Sequence, residues 1–391
     1  MAAIIPVLGT DVEDVLYGDR YTSYRWEVLT HNPSTGLDSL AGELDGVSDA
    51  SLSWTLNAAV KGSGKGKILD LAAADTAPGK LRVGALALES VRVRPVQVID
   101  GLPENPLGVF LLSSAKEEWS DTGRTWAVSL LDRTTVPQQD RVSEAYSVAA
   151  GTLILQKVAE ILDSCGEYIA VNASSTLATS SGMVWEAGTS KLKIINDLLD
   201  VAGYNALWMD GYGNFQTTPR VLPADRPTTY DLLGLPRELR DGQKAIYLPT
   251  WARERDSFDV PNEVIATEAA NGDTPALSGS WQNTDPTSKY SIPSRGRTIS
   301  YPLDGVEVPA GTDPEKIAFL QQRARATLIS MSAVQAQVKI EHLPIPSRVS
   351  EVLRFANSTA GVDAKHVMTN ISLDLHPLGL QKTTLQEVIS L

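Results

Sequence analysis

Residues 185–219 read WEAGTSKLKIINDLLDVAGYNALWMDGYGNFQTTP, and this stretch decides the fold. Thr189 or Ser190 can cap a helix start, because a hydroxyl accepts a bond from a free amide of the first turn. Leu192, Ile195, Leu198, Leu199 and Ala202 recur at helical spacing and give one apolar face. Gly203 follows, where a left-handed residue past the helix end favours glycine. Tyr204–Met209 is an aromatic and apolar run suited to a strand. Asp210-Gly211-Tyr212-Gly213-Asn214 predicts a hairpin turn, since Gly and Asn tolerate positive φ. Phe215–Thr218 returns as a second strand, and Pro219 ends it. The sequence on both sides is β-rich, so this helix–hairpin unit reads as a middle domain between two β domains.

Working outward, residues 1–140 supply short strands with period-two alternation. Leu52, Trp54, Leu56 and Ala58 share one face of a strand, with Ser51, Ser53, Thr55 and Asn57 on the other. Lys61-Gly62-Ser63-Gly64-Lys65-Gly66-Lys67 reads as a flexible turn, so Ala50–Ala72 is expected to form a long hairpin. Val91, Val93, Val96 and Val98 alternate with Arg92, Arg94 and Gln97, a pattern that suits a half-exposed sheet. A small antiparallel β-barrel is expected here. Residues 141–248 hold a helix over Thr152–Cys165, the helix–hairpin unit, and a Pro-rich linker over 221–244. Residues 249–391 read as a second barrel with one inserted helix over 313–332. Thr312 or Asp313 caps that helix, Pro314 opens it, and Glu315 favours the positive end of its dipole. Ala269–Tyr290 is expected as an exposed hairpin tip. The fold class is therefore mainly β, with two small antiparallel barrels flanking a helix–strand domain.

Length and charge narrow the function. The 391 residues suit two to four domains. A formal net charge of −13 argues against indiscriminate binding to nucleic acid or an anionic membrane. Cys165 is the single cysteine, so no intrachain disulfide is possible. It reads as a small packed residue. The start MAAIIPVLGTDVED lacks the basic and apolar regions of a secretory signal. No apolar run approaches the ~20 residues that cross a bilayer. Synthesis in a cytoplasm, without a membrane anchor, is expected.

Motifs for chemistry are sparse. The glycine–lysine run lacks the Lys-Ser/Thr end of a phosphate loop, because Ile68 follows Lys67. Asp210 and Asn214 are too few oxygens for a calcium loop. His31, His342, His366 and His376 show no metal-ligand spacing, and no nucleophile elbow occurs. No catalytic residue, metal or cofactor is expected. A hydrolase would need a cleft with convergent carboxylates. Most of the eight tryptophans lie in apolar patterns and are expected in the core. Trp281, in the polar run WQNTDPTSKYS, is expected as a contact residue.

The order of these units resembles the tail-hub family of tailed bacteriophages, which is similar to the central baseplate hub of contractile phages and to the N-terminal part of type VI secretion spike proteins. The resemblance rests on Trp185, Gly188, Thr189, Leu198, Leu199, Gly203, Tyr204, Trp208, Asp210, Gly211 and Phe215. Arg92-Val93-Arg94-Pro95, Pro106-Leu107-Gly108-Val109-Phe110 and Leu130-Leu131-Asp132-Arg133 look like parts of actinobacterial-phage minor tail proteins. Val260-Pro261-Asn262-Glu263-Val264 looks like the opening of the second barrel. Ending at Leu391, the chain departs from longer relatives, so no lytic extension is expected.

The resemblance implies a structural virion protein at the tail tip, made in the host bacterial cytoplasm. Three chains with two similar barrels each would adapt a sixfold tail tube to a threefold tip and enclose the DNA channel. Implied partners are two further copies, a distal tail ring protein, a tape measure protein and tail fibre or spike proteins. DNA would pass transiently through an acidic lumen without specific binding. Leu52, Trp54, Leu56, Ile371 and Leu373 are expected at the intersubunit ring, and Leu373→Asp is expected to block assembly. The alternative reading is a carbohydrate- or receptor-binding tail component.

Overall fold

The computed structural model describes residues 10–72, 75–88, 90–120, 123–233, 244–255, 259–269, 275–288, 290–334 and 336–388. Helix α1 (Thr10–Tyr17) precedes strands β1 (Thr22–Asn32), β2 (Leu37–Leu44), β3 (Val47–Thr55), β4 (Gly62–Leu69), β5 (Lys80–Leu81), β6 (Val91–Ile99), β7 (Asn105–Pro106), β8 (Phe110–Ser120) and β9 (Gly123–Asp132). The middle of the chain holds α2 (Thr135–Gln139), β10 (Tyr146–Val148), α3 (Ile154–Asp163), β11 (Met183–Trp185), α4 (Lys191–Val201), β12 (Trp208–Met209) and β13 (Phe215–Gln216). There follow β14 (Tyr230–Leu233), β15 (Ala252–Arg255), β16 (Glu263–Glu268), β17 (Ser278–Gln282), α5 (Ile292–Arg295), β18 (Ser300–Val306) and α6 (Asp313–Val334). The last strands are β19 (Ala336–His342), β20 (Val352–Asn357), β21 (Val362–Asp374) and β22 (Gln381–Glu387).

The protein is mainly β, and its two β regions share one sheet. The described strand order is β15-β19-β22-β21-β3-β4-β9-β8-β6-β1-β2-β5, a path with two ends. Strand β21 makes the junction. Its first half pairs with β20, and its second half pairs with β3 of the first region, with Ile371 opposite Trp54 and Leu373 opposite Leu52. Every pairing from β15 to β8 is antiparallel. One face of this run is buried, through Leu52, Leu130, Ile371, Leu373, Val338 and Leu385. The other face is polar, as a period-two alternation requires. Ser63, Ser53, Ser372, Lys382 and Glu341 lie side by side across five strands of it.

The glycine–lysine run is a strand, not a turn. The turn falls earlier, at residues 56–60, and β4 begins at Gly62. Ser63, Lys65 and Lys67 point outward, while Gly62, Gly64 and Gly66 face the core. A Cβ on Gly64 would lie 2.6 Å from Leu52 Cδ2 and 3.3 Å from Leu130 Cδ1. Large neighbours fill the space that β4 leaves empty, so the composition mimics a loop while the packing demands a strand.

Four apolar cores result. The first β region packs around Trp26, Leu52, Phe110 and Leu130. The middle domain packs α3 and α4 through Val158, Leu162, Ile195 and Leu199. The second β region packs around Met368, Phe355 and Leu353, and takes in Leu16 and Tyr17 of α1. A separate layer sets Leu320, Ala324 and Leu328 of α6 against Val264 and Ala266 of β16.

This last layer differs from the expectation for 249–391. Strands β17, β16 and β18 form their own three-stranded sheet under α6. The stretch Ala269–Tyr290 is likewise no simple tip, because β17 lies within it and Tyr290 is buried; residues 270–274 and 289 of it lie outside the described residues. Nor is 221–244 only a linker: Tyr230–Leu233 adds a parallel strand to β20, and residues 234–243 lie outside the described residues. The helix expected over 313–332 spans Asp313–Val334. Glu315 reaches back over its start, its Oε2 accepting from the Thr312 amide and hydroxyl at 2.7 and 2.8 Å.

Candidate functional site: the joint between the bodies

The helix–hairpin unit joins the middle domain to the first β region. Ser190 caps α4 and accepts a bond from the Lys193 amide at 3.3 Å. Gly203 sits at φ +72°, and the Tyr204 amide closes the helix end on Leu199 O at 2.8 Å. Trp185 is buried, and its Nε1 donates to Asp197 at 2.8 Å. Gly188 adopts φ +85° in the turn before the helix, and Thr189 donates to Glu186 O. Trp208 donates to Thr218 Oγ1 at 3.1 Å across the hairpin.

The Asp210–Asn214 turn is where the unit meets the first β region. The Asp210 carboxylate accepts from the amides of Tyr212 and Asn214, both at 2.9 Å. The Gly108 amide donates to Gly211 O at 2.9 Å. A Cβ on Gly211 would collide with Pro106 O, and one on Gly213 with the Val109 side chain. Both turn glycines are thus required by the close approach of Pro106–Val109. Two segments singled out in the sequence only by family resemblance are thus in contact, and each explains the other.

Beside this turn lies a buried ion network that joins the first β region to the middle domain. Glu167, with a fully buried side chain, receives Arg92 at 2.6 Å and also Arg133. Arg92 and Arg133 each reach Asp38 at 3.1 Å. His31 bridges Asp38 at 2.8 Å and Gly166 O at 2.9 Å. Arg133 also donates to Gly213 O at 2.9 Å and lies over the Phe215 ring at 5.1 Å. Arg92 is therefore buried, not on a half-exposed face as the alternation implies, because Glu167 of the middle domain covers it. Gln97, on the opposite face of β6, is also buried, and its Oε1 accepts from Asn105 at 3.1 Å. Sequence reasoning missed Glu167, Asp38 and His31. The available signal was an arginine between two valines, which requires a buried carboxylate if both faces are covered.

A cleft of about 790 Å³ opens where three bodies converge. Trp54 and Leu56 border it from the first β region, Trp208 and Met209 from the middle domain, and Val349 and Ile371 from the second β region. Four carboxyls line it, those of Asp132, Asp210, Asp225 and Glu351, and burial raises two of them. Burial raises Asp132, whose oxygens accept from the Gly62 amide and from the Thr134 amide and hydroxyl. Burial also pushes Glu351 up to about 7, and its Oε2 accepts from the Arg348 amide at 3.1 Å. Raised carboxyls are what acid–base chemistry uses, but each of these is tied to backbone amides, Asp132 to Gly62 and Thr134 and Glu351 to Arg348. Burial lowers Lys61, which donates to Leu56 O at 2.8 Å.

The expected interface residues divide. Leu52, Ile371 and Leu373 are buried within the chain at the β3–β21 junction, whereas Trp54 and Leu56 are half-buried along the cleft. A carboxylate at position 373 would therefore disturb the fold before any ring. Trp281 packs against the α6 layer with Arg325 over its ring at 5.2 Å, so it is not a free contact residue. The exposed tryptophan is Trp119, 73% accessible near the end of the β8–β9 hairpin. Among the described residues, no cluster of three or more His, Cys, Asp or Glu could hold a metal, and no helix is long and apolar enough to cross a membrane.

No protein-family model matches the chain, and no curated protein matches its sequence. Solved structures do match. The tail protein from Neisseria meningitidis MC58 superimposes with a TM-score of 0.61 at 13% identity, over 93% of this chain and 97% of that one. The 43 kDa tail protein of prophage MuSo2 from Shewanella oneidensis gives 0.56 at 12% identity, over 92% and 98%. Prophage tail protein gp18 from Listeria monocytogenes EGD-e gives 0.54 at 12% identity, over 92% and 94%. These likenesses run through both β regions and the joint between them, and the chain carries the fold of phage tail proteins.

Proposed function

We propose that this chain is a structural virion protein that forms a threefold hub at the tip of a phage tail. Three copies, each offering two β bodies, meet a sixfold tail tube and enclose the channel that DNA crosses. In this reading each half of the shared sheet is the counterpart of one barrel. Its neighbours are a distal tail ring protein, a tape measure protein and fibre or spike proteins, and it carries out no bond-making chemistry. It is made in the host cytoplasm and resides in the virion.

One observation carries the reading. The two β bodies present a single continuous sheet whose polar face bears small hydroxyls and lysines. Such a face is smooth and wettable, as a channel wall needs to be. On this reading the wall is of mixed charge, its lysines paired with carboxylates. Lys67 pairs with Asp49 at 3.9 Å, Lys116 with Glu118 at 2.9 Å, Lys339 with Glu254 at 2.8 Å and Lys382 with Glu341 at 3.5 Å. Lysines held by carboxylates neutralise few phosphates, so passing DNA is not retained.

Size exclusion with light scattering, run beside glycan-binding and muramidase assays, tests this function. A trimer inactive in both assays is the expected result. Glycan binding lost on Trp119→Ala would favour the receptor-binding alternative, and muramidase activity lost on Glu351→Gln would favour a hydrolase.

A further inference from the structure

The eight-strand run from β15 to β8 ends in two edges, and we infer that they are complementary halves of one joint between copies of this chain. The inference rests on the proposed ring and assigns its seam. At one end, β6 covers β8 only at Phe110 and Leu111, so Leu112–Trp119 has no partner strand on its outer side among the described residues. At the other end, Ala252–Arg255 of β15 has β19 on one side and no described strand on the other. Unpaired edges of this kind add a further strand readily.

Three features make each edge fit the other on a second copy. The first is direction. Each strand from β15 to β8 runs antiparallel to the next, and their number is even, so β8 and β15 point in opposite directions. A rotation axis along the strands keeps those directions, so β15 of one copy meets β8 of the next as another antiparallel pair. The alternation continues round the ring without a parallel seam.

The second feature is facing. Lys116 lies opposite Ala127, which lies opposite Lys67, on the polar face. Glu254 lies opposite Gln337, in line with Lys339 and Glu341 on that same face. The third is charge. Placing Lys116 opposite Glu254 in an antiparallel register puts Glu117 opposite Arg253 on the other face. Both cross-strand pairs then have opposite signs, which stabilises a strand pair, where like signs would oppose it.

The test uses the full chain with Lys116→Cys and Glu254→Cys, singly and together, and a short bismaleimide. Both side chains are exposed. Within one chain the two positions are separated by seven strand spacings, roughly 34 Å along the sheet at ~4.8 Å each, too far for the reagent. Cys165 does not compete, because burial pushes its thiol up to about 12. The double variant is expected to give a covalent ladder ending at trimer. An equimolar mixture of the two single variants is expected to stop at dimer, and each single variant alone to stay uncrosslinked. Crosslinking of a single variant with itself would overturn the assignment in favour of an edge meeting its own copy. A trimer by light scattering that never crosslinks would overturn the seam and leave the hub standing. A chain that is monomeric at high concentration and does not crosslink would show the edges to be merely guarded by their charges. Thermal melts matching wild type confirm that the variants are folded.

Discussion

Glu167 is the residue on which the joint depends most. It takes two arginines in a site closed to water, so its removal leaves two guanidinium charges sharing the single carboxylate of Asp38. Breaking a buried pair by removing one partner costs about 3–5 kcal/mol. Glu167→Ala is expected to destabilise the protein by that amount in urea denaturation, with an unchanged m value. A loss below about 1 kcal/mol would mean that water reaches the network. Protonation offers a second test at this scale. The Glu351 carboxyl rises from its ordinary 4.5 to about 7 in the fold, chiefly through desolvation. Its contribution to stability is full below about pH 4.5 and is lost as pH rises through about 7. Relative to wild type, the melting temperature of Glu351→Gln should therefore climb between about pH 5 and about pH 8. A constant difference would contradict the desolvated environment. His342 acts with the opposite sign. Burial lowers it to about 4, so its share of stability holds above about 6.5 and fades as pH falls toward 4.

At the scale of elements, β4 shows how packing overrules composition. Gly64→Val would drive a branched side chain into Leu52 and Leu130, and overpacking of this kind costs about 1–3 kcal/mol. Lys65→Ser, one residue on and facing outward, is expected to change stability by less than ~0.5 kcal/mol. Equal effects in thermal melts would contradict the inward glycine face. The same strand marks the limit of sequence reading. Elements that carry their own signals were legible: the Ser190 cap, the apolar stripe of α4, Gly203 and the Asp210 turn lie close together in the chain. Pro314 and Glu315 at its start likewise announce α6. What could not be read depends on distant partners. The inward glycines of β4 make sense only beside Leu52 and Leu130, Arg92 only beside Glu167, and β14 only beside β20. The network residues were half visible, since Arg92 and Arg133 sat in recognisable segments while their carboxylates had no local pattern.

For the whole molecule, the sharing of one sheet between two β regions is the property that matters. A chain with two independent barrels could bend between them. Here β21 runs across the junction and pairs with β3, β20 and β22, so the bodies are held in one register. The middle domain locks the same arrangement from the side, through the Asp210 turn and the ions around Glu167. A rigid two-body unit of this kind can occupy two neighbouring positions of a sixfold ring, which a flexible pair would do only at an entropic cost. In the proposed ring the polar face would form one continuous wall, with the edges of β8 and β15 at its seams. The most direct test is a cryo-electron microscopy reconstruction of the assembled tail. The account predicts three copies around the axis at the tip, with the Lys65 face toward the channel and β8 of each copy beside β15 of the next. Six or more copies along the tube, or a polar sheet face turned away from the channel, would contradict it.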